Sequence, residues 1–200
     1  MFLGLRFKSK DTMNNDTAKA NHLSPFARNR IKLILNIFVF GLITGALMAI
    51  FANLFVNAVT VISSYRNTIN IFTVKIHEAT LNYLPVITLI LAASIIIFIR
   101  KNFKIIRWNG PADSIYAAHR TDNELNTKVG YLSSLVALIS ASGGSSVGLY
   151  GPLVHLGATI GTSLKAITKD LLSTDVFIGC GVAGAISAGF GAPLAGIIFA

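Results

Sequence analysis

Acidic residues are scarce in this chain: eight Asp and Glu stand against seventeen Lys and Arg, for a formal net charge of +9. Between Glu124 and Asp170 there is no carboxylate at all. Intramembrane carboxylates are the usual proton carriers of coupled transporters. A pathway through this stretch therefore has to be uncoupled, or to draw on Tyr150, His155 or groups elsewhere. Charged residues of either sign make up 12% of the sequence, about half the share usual in soluble domains. The single cysteine, Cys180, excludes an intrachain disulfide framework and offers no metal-site spacing, so no metal centre is expected. No cleavable signal is evident, because the apolar stretch beginning at Ile31 is far longer than a signal core and about thirty polar or basic residues precede it.

What the chain has instead is apolar length. Hydrophobic residues are 53% of the total, which places it among membrane proteins. Ile31 to Ser63 is one apolar run, longer than the roughly 20 residues that cross a bilayer, so it is expected to tilt or to project. Leu81 to Ile99 reads as a second span. Residues 64–80 between them read as a polar turn or short amphipathic segment. Seven basic residues (Arg6, Lys8, Lys10, Lys19, Arg28, Arg30, Lys32) lie at or before the start of the first run, and Arg100, Lys101, Lys104 and Arg107 follow the second. That clustering puts both groups, and the amino terminus, on the cytoplasmic side. Basic residues gathered at span ends, with most Phe inside apolar runs, argue against nucleic acid as a partner. The division is a polar, basic tail over 1–29 and a membrane domain over 30–200.

Beyond Arg107 the pattern changes. Asn109-Gly110-Pro111 opens a short helix containing Asp113, Ile115, Tyr116 and Ala118, and residues 129–142 are apolar but too short to span. Two glycine-rich blocks follow: Gly143 to Pro152, and Gly179 to Gly196. Pro152 to Ile167 reads as a short helix with a close-packed Gly157-x-x-x-Gly161 face, and Gly41-x-x-x-Gly45 gives a similar face to the first run. Val176 to Ala200 reads as apolar sequence chopped by glycines and Pro193. Short, glycine-bounded apolar pieces are the mark of re-entrant or discontinuous helices lining a buried cavity. A helix that begins inside a bilayer presents free amides and the positive end of its dipole, which suits an anion. The last residues, Ile197 to Ala200, fall inside an apolar helix without a polar flank, so the chain is expected to be the front part of a larger protein.

Two enzyme patterns occur by composition. Gly144-Ser145-Ser146-Val147-Gly148 satisfies the nucleophile-elbow spacing, but no histidine follows His155 to complete a triad. Gly179-Cys180-Gly181-Val182-Ala183-Gly184 satisfies the dinucleotide spacing, but Gly189, Gly191 and Pro193 interrupt the helix it would need. Neither carries catalysis, and no catalytic residue is assigned.

Gly148-Leu149-Tyr150-Gly151-Pro152 with Leu153 to Ala158 resembles the G-[KR]-E-G-P block of the CLC chloride channel and transporter family. Gly184 to Phe199, with Ala192-Pro193-Leu194-Ala195-Gly196 at its centre, is similar to that family's A-x-F-x-A-P-L-A-G-x-x-F stretch. Trp108 to Ala112 stands in the place of its G-S-G-I-P signature in degraded form. The resemblance covers roughly residues 30–200. It implies an all-α, polytopic membrane fold with tilted and discontinuous helices, this chain holding the first of two inverted repeats, and a homodimer when complete. It implies that Asn109, Gly110 and Pro111 and the segment Gly148, Leu149, Tyr150, Gly151 and Pro152 face chloride, held as a transported ligand with no other cofactor. It places Tyr150 at the position of the gating glutamate and Asn109 at that of a chloride-contacting serine. The expectation is passive chloride transport in a bacterial inner membrane, against two alternatives: a truncated protein without transport of its own, and a chloride/proton antiporter.

Overall fold

The computed structural model describes residues 25–69, 73–76, 79–120, 125–168 and 172–200, so most of the basic tail lies outside the described residues. The apolar run forms a single helix, α1 (Pro25–Thr68). Its 44 residues extend roughly 66 Å at 1.5 Å per residue, well beyond a hydrocarbon core. The connection expected as a turn or amphipathic segment is a short antiparallel hairpin, β1 (Thr73–Ile76) with β2 (Ala79–Asn82), Thr73 opposite Asn82 and Ile76 opposite Ala79. β-Branched Thr73, Val74, Ile76 and Thr80 favour extended backbone there. α2 (Leu84–Asn102) follows, with Pro85 in its first turn and Arg100 and Lys101 in its last. Helices α1 and α2 are the two described elements long and apolar enough to cross a membrane.

The remaining elements are short: α3 (Pro111–His119), α4 (Thr127–Gly143), α5 (Tyr150–Thr168), α6 (Thr174–Phe190) and α7 (Pro193–Phe199). Helix α4 is 17 residues long, three more than the apolar run alone suggested, because Asn126 caps it by accepting from the Val129 amide at 3.2 Å. Helix α5 begins at Tyr150, two residues ahead of Pro152. Contrary to the expectation from sequence, the glycines of Gly179 to Gly189 do not chop the chain: α6 runs through all of them and ends only at Gly191, which turns left-handed at φ 63. In α6 the small residues serve packing. A Cβ at Gly157 or Gly181 would collide with the other's backbone, and one at Gly161 would collide with the Phe177 carbonyl. These pairs, 157 with 181 and 161 with 177, make α5 and α6 antiparallel with their backbones in contact.

Helix α1 packs along the other side of α6. Gly41 faces Cys180, and Gly184 faces Gly45 and Met48. This register, 180 − 41 and 184 − 45 both giving 139, makes α1 and α6 parallel. The core lies between α1, α5 and α6: Met48, Ala52, Phe55 and Val59 meet Leu153, Leu156, Ile160 and Ala185. α7 turns back on α6, with Gly196 against Ser187 and the Ala183 carbonyl.

Candidate functional site: two helix starts at one level

Pro111 sits at the start of α3 and Gly151 in the first turn of α5, and a Cβ on Gly151 would lie 3.6 Å from the Pro111 ring. One turn further on, the Ser114 hydroxyl and His155 Nδ1 are 2.7 Å apart, both residues fully buried. Contacts at 111–151 and 114–155 mean that α3 and α5 run side by side in the same direction, their positive ends together. Sequence reading singled out both segments; the structure brings them into contact.

Their depth follows from packing. A Cβ on Gly189 of α6 would lie 3.1 Å from Tyr150, so α5 starts level with Gly189. Subtracting the α1–α6 offset, 189 − 139, puts that level at Ile50. The apolar run Ile31 to Ser63 is centred on Leu47. Helix α5 therefore begins near the middle of α1, not at its end. The chain reaches that depth from Gly144, the left-handed C-cap of α4 at φ 106, through residues 145–149.

The donors are unequal. Pro111 and Pro152 carry no N–H, so they shape the helix starts without contributing an amide. The Asn109 amide donates to Ser133 Oγ at 2.9 Å. The Gly110 amide donates to Asp113 Oδ2 at 2.8 Å, and the same carboxylate pairs with Arg107. The start of α3 is thus capped by its own acid. At α5 the turn bonds stop at Val147, whose amide meets the Ser145 carbonyl at 2.8 Å. Gly148 and Leu149 take part in none of the hydrogen bonds of the described residues outside helices. The first-turn amides of Tyr150 and Gly151 have no intrahelical partner by construction. The start of α5 thus has four successive amides at 148–151 and no acidic residue in its first turn, so its donors are less committed than those of α3.

Tyr150 is 41% exposed and its ring stacks on Phe190, centroids 4.1 Å apart and planes 21° from parallel. Gly189 leaves the notch the ring occupies. The Asn109 side chain makes no hydrogen bond among the described residues and remains a free amide donor beside these starts. Ser114, Ser133, Asp113 and Phe190 were not singled out as site residues by sequence. For Ser114 a signal existed: it lies three residues after Pro111, as His155 lies four after Gly151, so each pair shares a helix face.

Comparison with known proteins agrees with this architecture. The matched stretches are similar to the voltage-gated ClC-type chloride channel ClcB of Yersinia pseudotuberculosis and of Yersinia pestis, each 26% identical over 109 residues, 54% of this chain and 26% of the relative. A ClcB-like protein of Ralstonia nicotianae is 30% identical over 95 residues, 45% of this chain and 22% of the relative. The chain thus matches about a quarter of the length of these relatives. No solved structure matches it. The profile of the voltage gated chloride channel family matches residues 91–200, more than half of the sequence and all of α3 to α7, and the chain belongs to that family.

Proposed function

We propose that this chain contributes an anion pathway, conducting chloride passively with Tyr150 as its gate or lining residue. The observation that carries the reading is the paired start of α3 and α5 at the mid-level of α1, with the amides of 148–151 uncommitted. Helix dipoles and oriented N–H groups in a low-dielectric setting stabilise an anion without a fixed cation beside it. Asn109 supplies a side-chain donor, and Gly148, Leu149, Tyr150 and Gly151 the main-chain donors. Tyr150 stands where the family resemblance places the gating glutamate. A neutral ring does not compete with chloride as an anion. No carboxylate lies between Glu124 and Asp170 to replace it. A passive path is the reading these residues support over the chloride/proton antiporter. The protein is read as an integral membrane protein of a bacterial inner membrane, amino terminus cytoplasmic, pairing as a homodimer.

The test is efflux from proteoliposomes loaded with chloride, with external pH recorded at the same time. Chloride release on adding a potassium ionophore, without proton movement, is the expected result. Protons moving in fixed ratio to chloride overturn the passive reading, and no chloride movement overturns transport altogether.

A further inference from the structure

Charge is matched to helix polarity at several ends of this fold. At the close of α4, where free carbonyls gather, Arg66 of α1 donates from Nη1 to the Ser142 carbonyl at 3.1 Å. Gly144 makes room for it, since a Cβ there would come within 2.7 Å of Nη1. In the first turns of α3 and α6 stand Asp113 and Asp175. The start of α5 has no acid in its first turn. Because α3 and α5 begin side by side, the acid of one start stands near the uncommitted amides of the other. Asp113 is held from two sides: Oδ2 accepts from the Gly110 amide at 2.8 Å, and Oδ1 pairs with Arg107. The Asp113 side chain is 22% exposed and that of Arg107 is 71% exposed. An ion pair with so exposed a partner is screened by water and offsets little of the carboxylate's charge.

Gly110 directly precedes Pro111, whose ring a Cβ on Gly151 would meet at 3.6 Å. Bond lengths and these two contacts put the Asp113 carboxylate at most roughly 15 Å from the Gly151 amide. We propose, on the anion-pathway reading above, that Asp113 sets the anion affinity of this site: its carboxylate takes the α3 end that chloride would otherwise share, and it repels an anion held on the 148–151 amides. The two helix dipoles then act unequally, α5 attracting the anion while α3 is spent on its own acid. At an effective dielectric of about 20, one negative charge roughly 15 Å away weakens the binding of another about sixfold. A weak site suits conduction, since an ion must leave as readily as it enters. An acid three residues into a helix commonly serves as a cap. Removing a cap costs stability only, whereas removing a resident anion tightens chloride binding.

Chloride titration of the full chain in detergent, by calorimetry with sodium gluconate as control, separates the two alongside the efflux assay. Asp113→Asn keeps an oxygen for the Gly110 amide and removes the charge. It is expected to bind chloride at least about sixfold more tightly than wild type. Asp113→Glu keeps both charge and bond and is expected to match wild type. If Asp113→Asn fails to fold, Asp113→Gln reaches the same amide without charge and takes its place. Unchanged or weaker binding by the neutral variant, or an equal gain in Asp113→Glu, makes Asp113 a cap alone and overturns its role, while wild-type efflux leaves transport standing. A wild type that neither binds nor releases chloride overturns both.

Discussion

The outer helices α1 and α2 and the inner helices α4 to α6 are all apolar, yet they achieve membrane compatibility by opposite means. Within the most apolar 18 residues of α1 and α2, 11% and 6% of positions are buried. Their Ile, Leu and Phe side chains, such as Ile34, Phe38, Ile97 and Phe98, face outward, where lipid is an equivalent solvent. Helix α5 instead buries Leu153 and the whole stretch from His155 to Gly161. Close approach, not bulk, holds it: Gly157 meets Gly181, and Gly161 meets Phe177, backbone against backbone. In a membrane no hydrophobic force separates helix from lipid, so packing and hydrogen bonds must do so. The lesson is that the same residue, glycine, is indispensable in one region and replaceable in the other.

The strongest way to break that contrast is a side chain at Gly161. A Cβ there would overlap the Phe177 carbonyl, which belongs to a helix backbone and has no rotamer to change. Gly161→Leu is expected to separate α5 from α6 and prevent folding, or to lower the midpoint of thermal unfolding in detergent by an amount equivalent to about 3 kcal/mol or more. A variant as stable as wild type would show that the two helices do not touch as described.

Next comes the buried Ser114–His155 pair, the side-chain link between the two helix starts. His155→Leu leaves the Ser114 hydroxyl unpartnered in the interior and is expected to cost about 1–3 kcal/mol. Ser114→Ala does the same to His155 Nδ1. Replacing both partners by apolar groups removes the orphan, so the double variant is expected to be more stable than the sum of the single changes implies. Additive losses in the double-mutant cycle would mean that the two side chains are not coupled. If the pair also sets the spacing of the helix starts, the double variant recovers stability while its chloride flux stays below wild type.

A third, smaller effect is expected at Gly144, where α4 ends with φ 106. Gly144→Ala forces an L-residue into left-handed backbone and crowds the Arg66 guanidinium. The backbone part alone is worth roughly 1–2 kcal/mol. Gly144→Asn, which tolerates that region better, is expected to lose less. An equal loss for both would assign the effect to Arg66 crowding and not to the backbone.

How far the sequence reveals this arrangement depends on which force builds each part. The outer helices are legible because apolar length is their main determinant: they overlap the runs of Ile31 to Ser63 and Leu81 to Ile99, although α1 extends over Pro25–Thr68 and α2 starts only at Leu84, Leu81 and Asn82 belonging to β2. The helix starts at Asn109 to Pro111 and Gly148 to Pro152 are legible because proline and glycine announce breaks. What composition hides is tertiary. The Gly179 to Gly189 glycines look like helix breakers in isolation and become helix when α5 and α1 press on both sides, since packing overrides propensity. The commitment of the Gly110 amide to Asp113 is equally hidden, because it depends on a side-chain rotamer. So is Arg66, which lies 76 residues from the carbonyl it caps.

Gly45 provides the mildest and most discriminating test. Paired with Gly41, it reads as half of a helix-packing motif, the same pattern as Gly157 and Gly161. A Cβ at Gly45 meets nothing within 4 Å, whereas Gly41 touches Cys180 at 3.9 Å. The space exists because Gly184 of α6, and not Gly45, keeps the two backbones close: its own Cβ would fall 3.3 Å from Gly45 and Met48. Gly45→Ala is therefore expected to be neutral or to raise stability by roughly 0.5–1 kcal/mol through helix propensity. Gly184→Ala has to displace Met48 and is expected to destabilise. Measured together by thermal unfolding, the two alanine changes separate a glycine needed for contact from one that merely matches a motif. A loss at Gly45 as large as at Gly184 would place α1 closer to α6 than the register of 139 allows.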